Sequence, residues 1–108
     1  HNSGHYTIEG CYTSQYEQHV RAILGLPLGN ASLIRPTAMK NIIGDHSASE
    51  AELLGLEEAY KNPNVKVHIY GKEKVVNGRK MGHITATADT IEEALEQVRK
   101  AHQALSFR

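Results

Sequence analysis

The sequence has no tryptophan, one phenylalanine and one cysteine. The lone Cys11 cannot close an internal disulfide, and small secreted domains are normally stapled by several. A disulfide scaffold is therefore excluded, and a reducing, cytoplasmic setting is expected. Long apolar runs are also missing, so no membrane span is expected. No basic start followed by an apolar stretch marks a secretory leader. Neither charge is in excess, with 12 Lys+Arg against 12 Asp+Glu. A neutral chain is a poor partner for nucleic acid or an anionic membrane. Internal repeats and low-complexity tracts are absent. The seven histidines are scattered, without HExxH or Cys/His ligand spacing, so the pattern names no metal site.

What is there suffices for one small domain or a piece of a larger one. The 108 residues are 40% hydrophobic, which takes the chain out of the disordered class. A chain of this size buries about two-thirds of its unfolded surface, so the core should be thin and lean on a neighbouring domain or subunit. The chain opens His1-Asn2-Ser3-Gly4-His5 without a methionine. That polar start reads as a loop continuing from something longer.

Three capping boxes set the helical expectation. Ser14-Gln15-Tyr16-Glu17 opens a helix over about 14–24, with Tyr16, Val20, Ile23 and Leu24 on one face and Gly25 and Pro27 as the stop. Ser49 to Glu52 opens a second, through Leu53, Leu56, Ala59 and Tyr60, ended by Asn62-Pro63. Thr90 to Glu93 opens a third, with Ile91, Ala94, Leu95, Val98, His102 and Leu105 on its apolar face. Residues 38–43 read as a strand. Val65, Val67 and Ile69 alternate with Lys66, His68 and Tyr70, the two-residue period of a half-buried strand, and residues 80–87 read as its hairpin partner. The order loop, helix, strand, helix, hairpin, helix predicts an α+β fold with three helices and an antiparallel sheet.

Two stretches carry chemistry. Between Val65 and His83, Lys66, Lys72, Lys74, Arg79 and Lys80 stand against Glu73 alone. Cations at the end of a strand pair can clamp a phosphate, arginine as a fork and lysine as a point charge. A solvated hairpin with edge-protecting lysines is the alternative. The opening residues offer imidazoles, an amide and a hydroxyl around Gly4, which can hold an oxyanion or pass a proton near neutral pH; an unstructured terminus is the alternative there. His83 and His102 read as hydrogen-bonded packing residues, Cys11 as a buried thiol, and Glu92, Glu93 and Glu96 as a solvated helix face.

The stretch HNSGHYTIEGCYTSQYEQHVRAILGLPLG resembles a segment of the 5-(carboxyamino)imidazole ribonucleotide synthase family, PurK, of ATP-grasp enzymes. That family typically shows PRPHNSGH, an aromatic, TIE, a cysteine, TSQFEQH and GLPLG there. Tyr6 and Tyr16 supply the aromatics here. Tyr70-Gly71-Lys72 followed by Gly78-Arg79-Lys80-Met81-Gly82-His83 is similar to the family's late YGK and GRKMGH signature. The two motifs lie in the family's order and span essentially the whole chain.

The resemblance implies an enzyme that uses ATP and magnesium to activate bicarbonate and carboxylates the amine of aminoimidazole ribonucleotide, releasing ADP and phosphate. It implies that residues 1–45 are the end of an ATP-grasp domain, with active-site loop, helix and strand, and 46–108 a small C-terminal α+β domain. By residue, it implies catalytic roles for His1 and His5, with Asn2 and Ser3 beside them in the active-site loop, a neutral histidine there accepting the amine proton or orienting the nucleophile. It implies a clamp on the ribonucleotide phosphate from Lys72 and Arg79, with Lys80 a lesser contributor. The family residues that precede HNSGH, a glutamate resembling a magnesium ligand and an arginine, are not among the 108, so this chain is expected to be inactive by itself and to bind no cofactor alone. The full-length protein is expected to be a homodimer. A non-enzymatic anion-binding module and a formate-using glycinamide ribonucleotide transformylase are the alternatives.

Overall fold

The structure, a computed structural model, describes residues 4–47 and 51–107. Its elements are α1 (Thr7–Gly10), α2 (Gln15–Ile23), β1 (Thr37–Ile43), β2 (Leu53–Leu54), α3 (Leu56–Ala59), β3 (Val65–Ile69), β4 (Lys80–Thr87), α4 (Ile91–Ala104) and β5 (Ser106–Phe107). The antiparallel hairpin is as the two-residue period predicts, and it gains β1 as a third strand. The sheet order is β1-β4-β3, antiparallel throughout. The α+β class holds, but four helices are described in place of the three expected.

The middle strand, β4, is buried without a break from Met81 to Ala86. Its sequence nevertheless alternates, with Ile84 and Ala86 on one face and His83 and Thr85 on the other. Both faces must therefore be covered. Register puts Ala38 and Val65 opposite Ala86, and Val67 opposite Ile84, and this apolar face packs against Ala94, Val98 and Ala101 of α4. The polar face is covered by the N-terminal segment around α1, which packs on β4.

Two of the three predicted caps form. Ser14 Oγ accepts from the Glu17 backbone N–H at 3.1 Å, and Thr90 Oγ1 from that of Glu93 at 3.2 Å. Glu17 does not reach back to close its box; its carboxylate pairs with Arg21 at 2.7 Å. The expected apolar face of α2 exists but is open: Tyr16, Val20, Ile23 and Leu24 are exposed. In α4 the buried stripe is narrower than predicted, and Ile91 and Leu95 lie exposed. Cys11 is half-buried instead of buried.

The second helix is the main departure. Its cap residues Ser49 and Glu50 lie outside the described residues. Leu53 and Leu54 form a strand with Ser106 and Phe107, and the helix shrinks to one turn, Leu56–Ala59. Gly55 is the reason. It sits at φ +89°, and a Cβ there would collide with the Ala104 carbonyl at the end of α4. Only glycine tolerates both the left-handed backbone and that approach, so the helix starts after it. The short α1 was not foreseen; four residues give no periodicity to read.

Candidate functional site

The polar face of β4 carries a cluster of titratable groups. Register places His68 directly opposite His83, and cross-strand neighbours on one face touch. Their rings stack at 4.5 Å, 16° apart. Two residues beyond His68, on the same face, comes Tyr70. Its hydroxyl meets Nδ1 of His83 at 2.9 Å.

The N-terminal segment closes over this row. The Gly4 carbonyl accepts from the Thr7 N–H at 3.1 Å and from the Thr7 hydroxyl, a turn that leads into α1. The turn sets His5 against His83, rings stacked at 4.7 Å, with His5 Nδ1 3.2 Å from the Tyr70 hydroxyl and the Tyr16 ring 5.6 Å away. One helical turn on, Glu9 binds Nε2 of His68 with both carboxylate oxygens, at 2.9 and 3.1 Å.

Three stacked imidazoles cannot all carry charge. His83 yields: burial first, then the neighbouring His68 and His5, push it down to about 4. It is neutral at physiological pH. Burial, with Tyr16 beside it, pushes the Tyr70 phenol up, so its hydroxyl keeps its hydrogen.

Glu9, His68 and His83 are close enough to suggest a cation site. Their arrangement argues against one. Near-parallel stacked rings point their in-plane lone pairs side by side, not at one point, and Glu9 is already taken by His68. Magnesium fits least, since it takes oxygen ligands and this set offers one carboxylate against two imidazoles.

The basic hairpin joins the cluster at Tyr70. Lys72 Nζ lies 5.9 Å from the Tyr70 ring centroid and donates to the Lys80 carbonyl at 2.7 Å. The connecting loop is pinned, with Val75 buried and the Gly78 N–H on the Gly44 carbonyl at 2.7 Å. Arg79 is exposed and donates to the Lys74 carbonyl at 3.2 Å.

Of the residues singled out in the sequence, His5 and Lys72 thus both approach Tyr70, Lys72 is tied to the Lys80 backbone, and Arg79 precedes Lys80 on the loop. His1, Asn2 and Ser3 lie outside the described residues. His83 is a hydrogen-bonded buried residue, as expected, but at the centre of the site. His102 is elsewhere, on α4, its proton affinity lowered by burial and by Lys40. Tyr70, His68, Glu9 and Tyr16 were missed. The hairpin register could have paired His68 with His83. No spacing rule brings residue 5 to residue 70.

A family model described as the phosphoribosylaminoimidazole carboxylase C-terminal domain matches residues 37–97. The chain belongs to this family. The match to the carboxylase C-terminal domain takes in the YGK and GRKMGH motifs and all three strands of the central sheet. Among curated relatives, the chain is 45% identical over 98 residues to the N5-carboxyaminoimidazole ribonucleotide synthase of Bacillus subtilis, covering 91% of this chain and 24% of the relative. It is 53% identical over 89 residues to the Vibrio cholerae protein of the same name, covering 82% and 22%. The chain therefore spans about a quarter of the length of these relatives. Among solved structures, it is similar to N5-carboxyaminoimidazole ribonucleotide synthetase from Thermotoga maritima, with TM-score 0.93 and 46% identity over 99% of this chain and 30% of that one. The Aspergillus clavatus enzyme, solved with ADP and 5-aminoimidazole ribonucleotide, superposes with TM-score 0.78 at 42% identity over 95% of this chain and 28% of that one.

Proposed function

We propose that the chain is the C-terminal portion of an ATP-dependent ligase of purine biosynthesis. The full-length protein would carboxylate aminoimidazole ribonucleotide with bicarbonate and ATP, giving carboxyaminoimidazole ribonucleotide, ADP and phosphate. The observation that carries this reading is the meeting of His5 and Lys72 at Tyr70, which joins the two motifs of the resemblance at one place. His5 would face the reacting group, with His1, Asn2 and Ser3 beside it, and Lys72, Arg79 and Lys80 would bind the ribonucleotide phosphate. ATP and magnesium would be held by other parts of the full-length protein, since the one clustered ligand set described here does not suit magnesium.

The division of the chain into an ATP-grasp end and a C-terminal unit belongs to the same proposal. The pairing of β1 with β4 supports drawing it before Thr37 and not at residue 45. A homodimeric, cytoplasmic full-length protein completes the reading. The open apolar face of α2 supports burial against further protein, and an unpaired Cys11 suits a reducing compartment. Among the described residues no helix is long and apolar enough to cross a membrane.

Arg79→Ala in the full-length protein tests the phosphate clamp. A charge-assisted bond is worth roughly 1.5–3 kcal/mol, so KM for the ribonucleotide should rise about 10- to 100-fold. KM for ATP should hold, and so should stability, since an exposed loop cation carries little of the core. A variant weakened toward ATP alone would return the hairpin to a solvated role.

A further inference from the structure

We propose that Tyr70 is a positioning residue that holds His5 with its hydrogen on Nε2, so that His5 meets its ligand as a hydrogen-bond donor to an oxyanion and not as a base. The donor role rests on the reading above, that His5 faces the substrate.

A hydroxyl carries one hydrogen. The Tyr70 hydroxyl meets Nδ1 of His83 at 2.9 Å and Nδ1 of His5 at 3.2 Å. One of these nitrogens must therefore be bare and the other must carry a hydrogen. The tautomers of two histidines 78 positions apart in sequence are coupled through one oxygen.

His83 decides between the two arrangements. It is 2% exposed, and its Nε2 has no hydrogen-bond partner. A hydrogen on that nitrogen would be a buried N–H without an acceptor, the rarer kind of orphan in folded proteins. A hydrogen on Nδ1 instead donates to the Tyr70 oxygen and leaves Nε2 bare. Tyr70 then gives its own hydrogen to Nδ1 of His5. A neutral His5 in this arrangement carries its hydrogen on Nε2.

The groups around the pair agree with this assignment. His83 stays neutral and Tyr70 stays protonated at physiological pH. Glu9 on α1 is engaged by His68 on β3; among the described residues, Tyr16 on α2 lies against His5 and Lys72 against the Tyr70 ring. An Nε2–H donor suits an anionic oxygen, the kind of charge that a fixed donor stabilises best.

The test combines ring ¹⁵N shifts with kinetics of the full-length protein. In mildly alkaline buffer, where imidazole is neutral, His5 should show a bare Nδ1 and a hydrogen on Nε2, and His83 the reverse. Tyr70→Phe should release His5 into a mixture of tautomers and lower kcat about tenfold while leaving KM for ATP unchanged. His5→Gln places an amide N–H where Nε2–H stood. It should keep kcat within about tenfold of the parent, while His5→Ala should lose about 100-fold or more. A hydrogen found on Nδ1 of His5 overturns the proposal. So does a His5→Gln variant as impaired as His5→Ala, because a base would be lost equally in both. Full activity in His5→Ala overturns instead the reading that His5 faces the substrate, and the ¹⁵N shifts then report on Tyr70 and His83 alone.

Discussion

His83 shows how one buried side chain ties the site to the fold. A neutral imidazole is the form the folded chain selects, with its proton affinity pushed down to about 4 from the ordinary 6.5. Between these two values the unfolded chain binds a proton that the folded chain refuses. Stability therefore rises with pH through that window and is lost as pH falls from 6.5 toward 4. Allowing for solvent screening, the contribution is at most about 3 kcal/mol. Urea unfolding of His83→Gln should show a flatter dependence between neutral and mildly acidic pH than the parent chain, by up to that amount. An equal slope in both would place the acid sensitivity on other groups.

At the scale of single elements, a cap matters in proportion to what its helix buries. Ser14 and Thr90 make the same bond, a side-chain oxygen accepting from the N–H three residues on. Yet α4 buries Ala94, Val98 and Ala101 in the core, whereas α2 buries none of its residues. Thr90→Ala should cost about 1 kcal/mol of global stability, a fall in Tm of about 4–8 °C for a domain of this size. Ser14→Ala should loosen α2 locally, seen as faster amide exchange there, with little change in Tm. Equal Tm losses would mean that α2 is coupled to the core more tightly than its exposure indicates. Both caps were legible from the sequence because capping is local chemistry. The strand β2 was not, because its partner β5 lies about 50 residues away and Gly55 is explained only by the end of α4 beside it.

For the whole molecule, the sheet decides what can stand alone. β1 runs antiparallel to β4 along its full length and brings Ala38 and Ile42 into the core. Removing it bares one edge of β4 and the apolar face around Ile84 and Ala86. Residues 37–107 expressed as a separate chain should melt cooperatively in circular dichroism, while 46–107 should not, since β4 would be left as an edge with half its cover gone. A cooperative transition in 46–107 would restore a boundary at residue 45.

The sequence by itself determined the α+β class, the Ser14 and Thr90 caps, the hairpin and the basic loop, because each depends on neighbours a few positions apart or on a two-residue period. Its two motifs also carried the family resemblance. Only the tertiary structure decided that β4 lies between two strands, that its polar face is covered, and that His5 rests on His83 with Tyr70 between the N-terminal turn and Lys72. The reason is physical. Contact between residue 5 and residue 70 depends on how the N-terminal turn crosses the polar face of the sheet, and neither periodicity nor charge along the chain encodes that crossing.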